Sequence, residues 1–265
     1  MRRPILFVLS WERPIYLWAT LDALFRNTQR DLEVILIDNN SQDPLVHHVI
    51  DAFSKRGMFS DVLRCSENRP DRMNIVIKDY IDRIGDFFFF CENDVVVPEN
   101  ICWATEYEKI YQDIPGVAMI GSFCDKEDFI DERNIRDLEP ELDARLVEFY
   151  AKSDSPERTI TIEPGMRVWP KETPNPPGRL TLLSAEAILK TGFHPDGILA
   201  KKINDVGMSA LVCTTFRHRH LSLLNWYDVS DKQYANARKK FFRGMLSKRD
   251  LAHIAFNKVF RMTKR

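Results

Sequence analysis

The stretch from Asp86 to Pro98 constrains the fold most. Four phenylalanines and a cysteine (Phe87–Cys91) run directly into Glu92-Asn93-Asp94, followed by Val95-Val96-Val97-Pro98. A short, wholly apolar run fits a strand buried on both faces, and such strands belong to parallel sheets covered by helices on each side. The run ends in two carboxylates one residue apart. In extended chain, residues i and i+2 point the same way, roughly 6.5–7 Å apart. Glu92 and Asp94 would then share a divalent cation, directly or through water, beyond the carboxyl end of the strand, where open α/β sheets bind ligands. Hard oxygen donors suit Mg²⁺ or Mn²⁺ against a diphosphate. The competing reading is a strand that simply stops at solvated charges.

The rest of the chain repeats this grammar. Residues 4–10 read as a first strand, and Pro14 opens a helix over about 14–27 with Leu17, Leu21, Leu24 and Phe25 at helical spacing. The start Met1-Arg2-Arg3 imitates a signal peptide, but Glu12-Arg13-Pro14 follows where a small-residue cleavage site is needed, so a buried strand is the reading. Leu32 to Ile37 is a second strand, ending in the turn signal Asp38-Asn39-Asn40-Ser41-Gln42-Asp43-Pro44. Helices follow at about 44–56, 71–83 and 99–112, with strands near 61–65 and 116–123. Residues 125–148 carry ten acids against four bases and read as a solvated helix and loop, whereas residues 164–178 hold five prolines and read as a loop or lid. Regular structure returns at 180–191 and a strand at 211–216. Strands alternating with helices predict an α/β domain with a mostly parallel central sheet flanked by helices.

At 265 residues the chain fits one large domain. Its net charge of −1 conceals an asymmetry: residues 238–265 carry ten Lys or Arg against Asp250, a charge of +9, which leaves −10 on residues 1–237. An acidic body argues against nucleic-acid binding, which needs an extended basic footprint. Five scattered cysteines without a C-x-x-C pair point to a reducing, cytoplasmic setting. No apolar run approaches the roughly 18–20 residues that span a bilayer. The tail places Phe242, Met245, Leu246, Phe256, Val259 and Phe260 on an imperfect helical stripe among its basic residues. That stripe fits peripheral contact with anionic lipid or packing on the body.

Four segments end polar after an apolar run: Ser10-Trp11-Glu12-Arg13, Asp38-Asn39-Asn40, Glu92-Asn93-Asp94 and Asn204-Asp205. Parallel neighbouring strands would bring the first three to one crevice, where Trp11 would stack on a base and Asp38 accept from a base N–H. Asp38 equally fits an Asx-turn or a helix cap, and Asp205 a cap.

These segments resemble family 2 glycosyltransferases of the GT-A, Rossmann-like fold: Pro4 to Leu17 and Leu32 to Asp43 its opening, Glu67-Asn68-Arg69 its central loop, Glu92-Asn93-Asp94 its D-x-D motif. Residues 191–208 loosely resemble the segment that bears the family's catalytic base. The resemblance covers about residues 4–104 well and 180–222 loosely. It implies a non-processive, inverting transferase using a nucleotide-sugar donor, a UDP-sugar favoured, with a glycan or lipid-linked glycan as acceptor. It implies a donor site at Ser10, Trp11, Glu12, Arg13, Asp38, Asn68, Arg69 and Asn93. Mn²⁺ or Mg²⁺ would sit on Glu92, Asp94 and His218 (His220 the alternative), with Asp205 as base. It divides the chain into a GT-A domain over 1–237, with a nucleotide half to about 104 and an acceptor half beyond, and a basic tail over 238–265. The chain departs from the pattern at Glu92 and Asn204, each replacing an aspartate or acid of the family, and at Trp11-Glu12. The Q-x-x-R-W motif of processive members is absent. A nucleotidyltransferase is disfavoured because residues 9–20 contain no glycine for a phosphate loop. A catalytically inactive glycan- or partner-binding descendant is the third reading.

Overall fold

Strand β1 (Ile5–Ser10) lies at the centre of one half of the sheet, with β2 (Glu33–Asp38) parallel on one side and β4 (Phe87–Glu92) parallel on the other. In this computed structural model, residues 2–125, 128, 161–169, 178–194 and 196–221 are described, all within one compact unit, Met1–Trp226. The basic tail at 238–265, most of the acidic stretch at 125–148 and residues 170–177 lie outside them. The remaining strands are β3 (Asp61–Arg64), β5 (Val95–Val96), β6 (Val117–Cys124), β7 (Leu180–Ser184) and β8 (Ser209–His220), and the sheet order is β3-β2-β1-β4-β7-β6-β8-β5. Four of the seven pairings are parallel; β7 runs antiparallel to both neighbours, and β5 antiparallel to β8.

The apolar runs bury both faces. Along β4, Phe89 and Cys91 enter one core cluster with Leu6 and Val8, while Phe88 and Phe90 enter the other with Ile5 and Phe7. Helices α1 (Pro14–Asn27), α2 (Pro44–Lys55) and α4 (Trp103–Asp113) cover the first face. Helices α3 (Arg72–Asp79), α5 (Ala185–Thr191) and α6 (Asp196–Asp205) cover the second. Local chemistry sets the helix starts: Asp43 caps α2 by accepting from Leu45 N–H ahead of a first-turn proline, and Ser184 caps α5 through Ala187 N–H.

Because β7 inserts one antiparallel strand between β4 and β6, strands β1, β2, β3, β4, β6 and β8 all end on the same edge. Strand β8 is twice the length expected from its apolar core at 211–216. One step on β6, Ser122 to Phe123, matches four on β8, Cys213 to Arg217, so Thr214–Phe216 form a bulge. Beyond it the polar run Arg217–His220 continues the strand to the edge, where Val95 pairs with His220.

Candidate functional site

Among the described residues, one group of three side chains could hold a metal ion: Glu92, Asp94 and His220, whose ligand atoms all lie within 4.8 Å of one another. The strand ends at Glu92, and Asn93-Asp94 form a turn into β5, so the two carboxylates converge by a reversal of the chain and not by the i, i+2 spacing of a strand. Leu221 N–H donates to Asp94 C=O at 2.8 Å and ties the end of β8 to that turn. Asp94 and His220 are buried, and His220 Nε2 is 3.3 Å from Asp94 Oδ2. Burial, with help from Arg179, pulls His220 below the ordinary histidine value even against the pull of Asp94. A neutral imidazole is the form that ligates metal.

Of the two candidate histidines, His220 is the one whose ring lies with Glu92 and Asp94, whereas the expected ligand His218 is not in that group. Strand period places both rings on one face, but His218 is engaged deeper in the sheet. Ser122 Oγ is 2.8 Å from its Nδ1, and Cys124 Sγ is 3.4 Å from its Nε2. Burial pushes His218 well below the usual value as well.

The turn after β1 closes over this group. Glu12 and Arg13 both adopt left-handed backbone, at φ 52° and 65°. Such conformations are rare outside glycine and persist only where surroundings hold them. The holders are visible. Ser41 Oγ accepts from Glu12 N–H (2.8 Å), Asn93 Nδ2 donates to Glu12 C=O (3.1 Å) and Trp11 C=O (3.5 Å), and Arg13 donates to Asp94 at 3.0 Å. The Arg13 guanidinium also lies over the Tyr16 ring, 4.1 Å from its centroid. Glu12 accepts from Gln42 and Asp43 N–H (2.7 and 3.1 Å), so its carboxylate braces the loop after β2. Ser10 is buried at the end of β1, its carbonyl taking Asn39 N–H, and Trp11 is partly exposed.

At the end of β2, Asp38 braces the loop that follows: Oδ1 accepts from Ser41 N–H, three residues on, at 3.0 Å, and Oδ2 lies 3.6 Å from His47 Nδ1. Asn39 reaches the 67–72 loop, donating to Asn68 Oδ1 (2.6 Å) and Arg69 C=O (3.0 Å) and accepting from Arg69 N–H and Arg72 Nε. Arg69 itself pairs with Glu67 and Asp71. The expected donor residues therefore share one edge of the sheet, several of them as braces of its loops.

Asp205 does not join them. It is the last residue of α6, exposed, and paired with Lys201 at 2.7 Å. Four residues later β8 begins with Ser209 beside Val117, at the amino end of β6. The eight residues of β6 at about 3.3 Å each put roughly 23 Å between that end and the edge where Glu92 and Asp94 lie. The expected base Asp205 thus lies at the far end of α6, away from Glu92, Asp94 and His220. The segment before α6 is tied to the edge where Glu92 and Asp94 lie. Gly192–His194 lie there, because Phe193 exchanges both its backbone polar groups with the Asn74 side chain in the first turns of α3 and its ring stacks edge-on against Phe90. The acid at the first residue of α6 is Asp196.

No protein-family model matches the chain, and no curated protein matches it in sequence. In fold it is similar to the mannosyltransferase PcManGT from Pyrobaculum calidifontis, solved with GDP-Man and Mn²⁺. That match has a TM-score of 0.54 and 17% identity over 80% of this chain and 56% of the other. It is also similar to GalNAc-T7, solved with UDP, GalNAc and Mn²⁺, with a TM-score of 0.53 and 16% identity over 83% of this chain and 44% of the other. The chain spans about half the length of these two structures. Its fold is the GT-A glycosyltransferase fold.

Proposed function

We propose that the chain is a metal-dependent glycosyltransferase that moves a sugar from a nucleotide-diphosphate donor to an acceptor hydroxyl with inversion. The observation that carries this reading is the meeting of Glu92, Asp94 and His220 on the carboxyl edge of a GT-A sheet. The two carboxylates supply the hard oxygens that suit Mn²⁺ or Mg²⁺, and the neutral imidazole adds one borderline nitrogen donor. Such an ion, when bound, neutralises charge on the departing diphosphate.

The chain's own residues supply the rest. Arg13 brings a fixed positive charge to Asp94, at the same edge. Ser10, Trp11 and Asp38 border the crevice for the nucleoside, with Asn68 and Arg69 on the facing loop. The acceptor oxygen attacks the anomeric carbon as the bond from that carbon to the phosphate oxygen breaks, and the electron pair leaves with the diphosphate. The acceptor proton goes to a carboxylate, for which we propose Asp196, the first residue of α6, two positions after Phe193–His194. General-base assistance of this kind contributes about 10²–10⁴ in rate. The acceptor we favour is a glycan or lipid-linked glycan, with contact to the membrane through the 238–265 tail.

The test is a panel of nucleotide sugars assayed for release of free sugar to water, with Mn²⁺ and with EDTA, in parallel with thermal unfolding. A nucleotide at about 100 times its dissociation constant stabilises the fold by roughly 2.7 kcal/mol. Metal-dependent stabilisation and donor hydrolysis together support a transferase. Stabilisation without any hydrolysis supports the inactive binding protein instead, and stabilisation that survives EDTA removes the metal from the reading.

A further inference from the structure

The carboxylate of Asp128 has no obvious place in the chemistry, yet it is fully buried and both its oxygens are committed. Oδ2 accepts from the backbone N–H of His220 at 2.7 Å, and Oδ1 accepts from Arg219 Nε at 2.5 Å. Its own N–H donates to Asp125 C=O, and Asp125 N–H donates to His218 C=O at 2.7 Å. Asp125 and Asp128 therefore hold the last residues of β8 at three successive positions, 218, 219 and 220. From the other side, β5 pairs with Arg219 and His220.

Burying a carboxylate is costly, and burial does push this one up from its ordinary value. The two donors offset that cost, and both belong to the end of β8. A hydrogen bond between a carboxylate and a backbone N–H is charge-assisted, short and directional. Here it fixes the backbone from which the His220 ring projects toward Asp94. The strand needs such fixing because the three-residue bulge at Thr214–Phe216 has just broken its register with β6.

We infer that Asp128 is a positioning residue for the metal ligand His220, a role that rests on the metal site proposed above. Groups that orient a ligand typically change metal affinity or activity by 10–100-fold when removed. A carboxylate that merely staples β6 to β8 would instead change stability and leave the affinity of the folded protein for metal untouched.

The experiment uses the full chain and Mn²⁺ alone, with binding read from the electron paramagnetic resonance of free Mn²⁺ and unfolding followed in EDTA. Wild type, Asp128→Asn, Asp128→Ser and His220→Ala are compared. The expected result is Mn²⁺ binding in wild type, its loss in His220→Ala, and a dissociation constant raised at least tenfold in both Asp128 variants that still unfold cooperatively in EDTA. Wild-type affinity in the Asp128 variants, beside loss in His220→Ala, overturns this inference and leaves the metal site standing. Asp128 variants that cannot fold in EDTA also overturn it, because the carboxylate would then be holding the strand rather than aiming the ligand. Absence of Mn²⁺ binding in wild type removes the metal site and this inference together.

Discussion

Arg13 Nη1 lies 3.0 Å from the same Asp94 oxygen that His220 Nε2 approaches to 3.3 Å. Both members of the Arg13–Asp94 pair are buried, with side chains 3% and 6% exposed. The guanidinium thus compensates an acid that a metal would otherwise compensate, and it comes from a residue held in left-handed backbone immediately before a proline. Removing one member of a buried pair leaves the other charged in a poor solvent and costs about 3–5 kcal/mol.

Arg13→Met keeps the length of the stem and removes the charge. In EDTA the variant is expected to lose stability on that scale, measured by urea unfolding. Mn²⁺ should restore more stability to the variant than it adds to wild type, since it then meets an Asp94 with less positive charge beside it. Equal gains in the two proteins, or a loss in EDTA below about 1 kcal/mol, would show that the pair and the metal do not share Asp94.

The two histidines of β8 should separate cleanly. His220→Ala is expected to abolish Mn²⁺ binding. His218→Ala removes a buried ring held between Ser122 and Cys124, so it should lower stability by a few kcal/mol, as large-to-small core changes do, while the folded fraction binds Mn²⁺ with wild-type affinity. The opposite assignment of effects would return the metal to His218.

Acid should unfold the metal-free protein early. Unfolded histidines take up protons near pH 6.5, whereas burial keeps His218 and His220 neutral to lower pH in the folded state. The unfolded chain then binds more protons, so the stability these rings permit is complete above about pH 6.5 and declines as pH falls toward their folded values. Each contributes a slope of up to about 1.4 kcal/mol per pH unit. Urea midpoints measured in EDTA from pH 8 to 5 should fall below pH 6.5 and fall less steeply in His218→Gln. A flat profile would mean that the rings titrate alike in the folded and unfolded chain, and one that rises toward acid would mean that they are charged in the fold.

Much of this architecture is legible in the residues. The runs Ile5–Ser10, Glu33–Asp38 and Phe87–Glu92 are apolar enough to declare strands buried on both faces, and the polar residues that end them mark the functional edge. What the sequence hides is long-range. His218 and His220 are equivalent by strand period, and only Ser122, 96 positions away, and Cys124 distinguish them. Asp128 sits in an acidic stretch that reads as solvated surface, and its partners lie more than 90 positions on. Glu12 and Arg13 carry no glycine signal, because their left-handed backbone is imposed by Ser41, Asn93 and Asp94. Asn204-Asp205 looks like an acid pair before a strand, yet direction decides its meaning. The pair ends a helix that runs away from the site.

That direction gives the sharpest test of the catalytic assignment. Asp205 is exposed, ion-paired with Lys201 and on the far edge of the sheet, so Asp205→Asn should transfer sugar at the wild-type rate. An exposed pair four residues apart on a helix contributes only about 0.3–0.5 kcal/mol, so its stability should hardly change. Asp196 is the first residue of the same helix, three positions after Phe193, which Asn74 and Phe90 hold at the other edge. Asp196→Asn keeps the shape and removes the proton acceptor, and it should lower the turnover of transfer by about 10²–10⁴ with little change in nucleotide affinity. Steady-state rates beside nucleotide titrations of both variants decide the matter. A full-rate Asp196→Asn enzyme would mean that the acceptor proton leaves by another group. Loss of nucleotide binding in that variant would place Asp196 in the donor site instead. A crippled Asp205→Asn enzyme would require the far end of α6 to reach the reaction, against the direction the helix takes here.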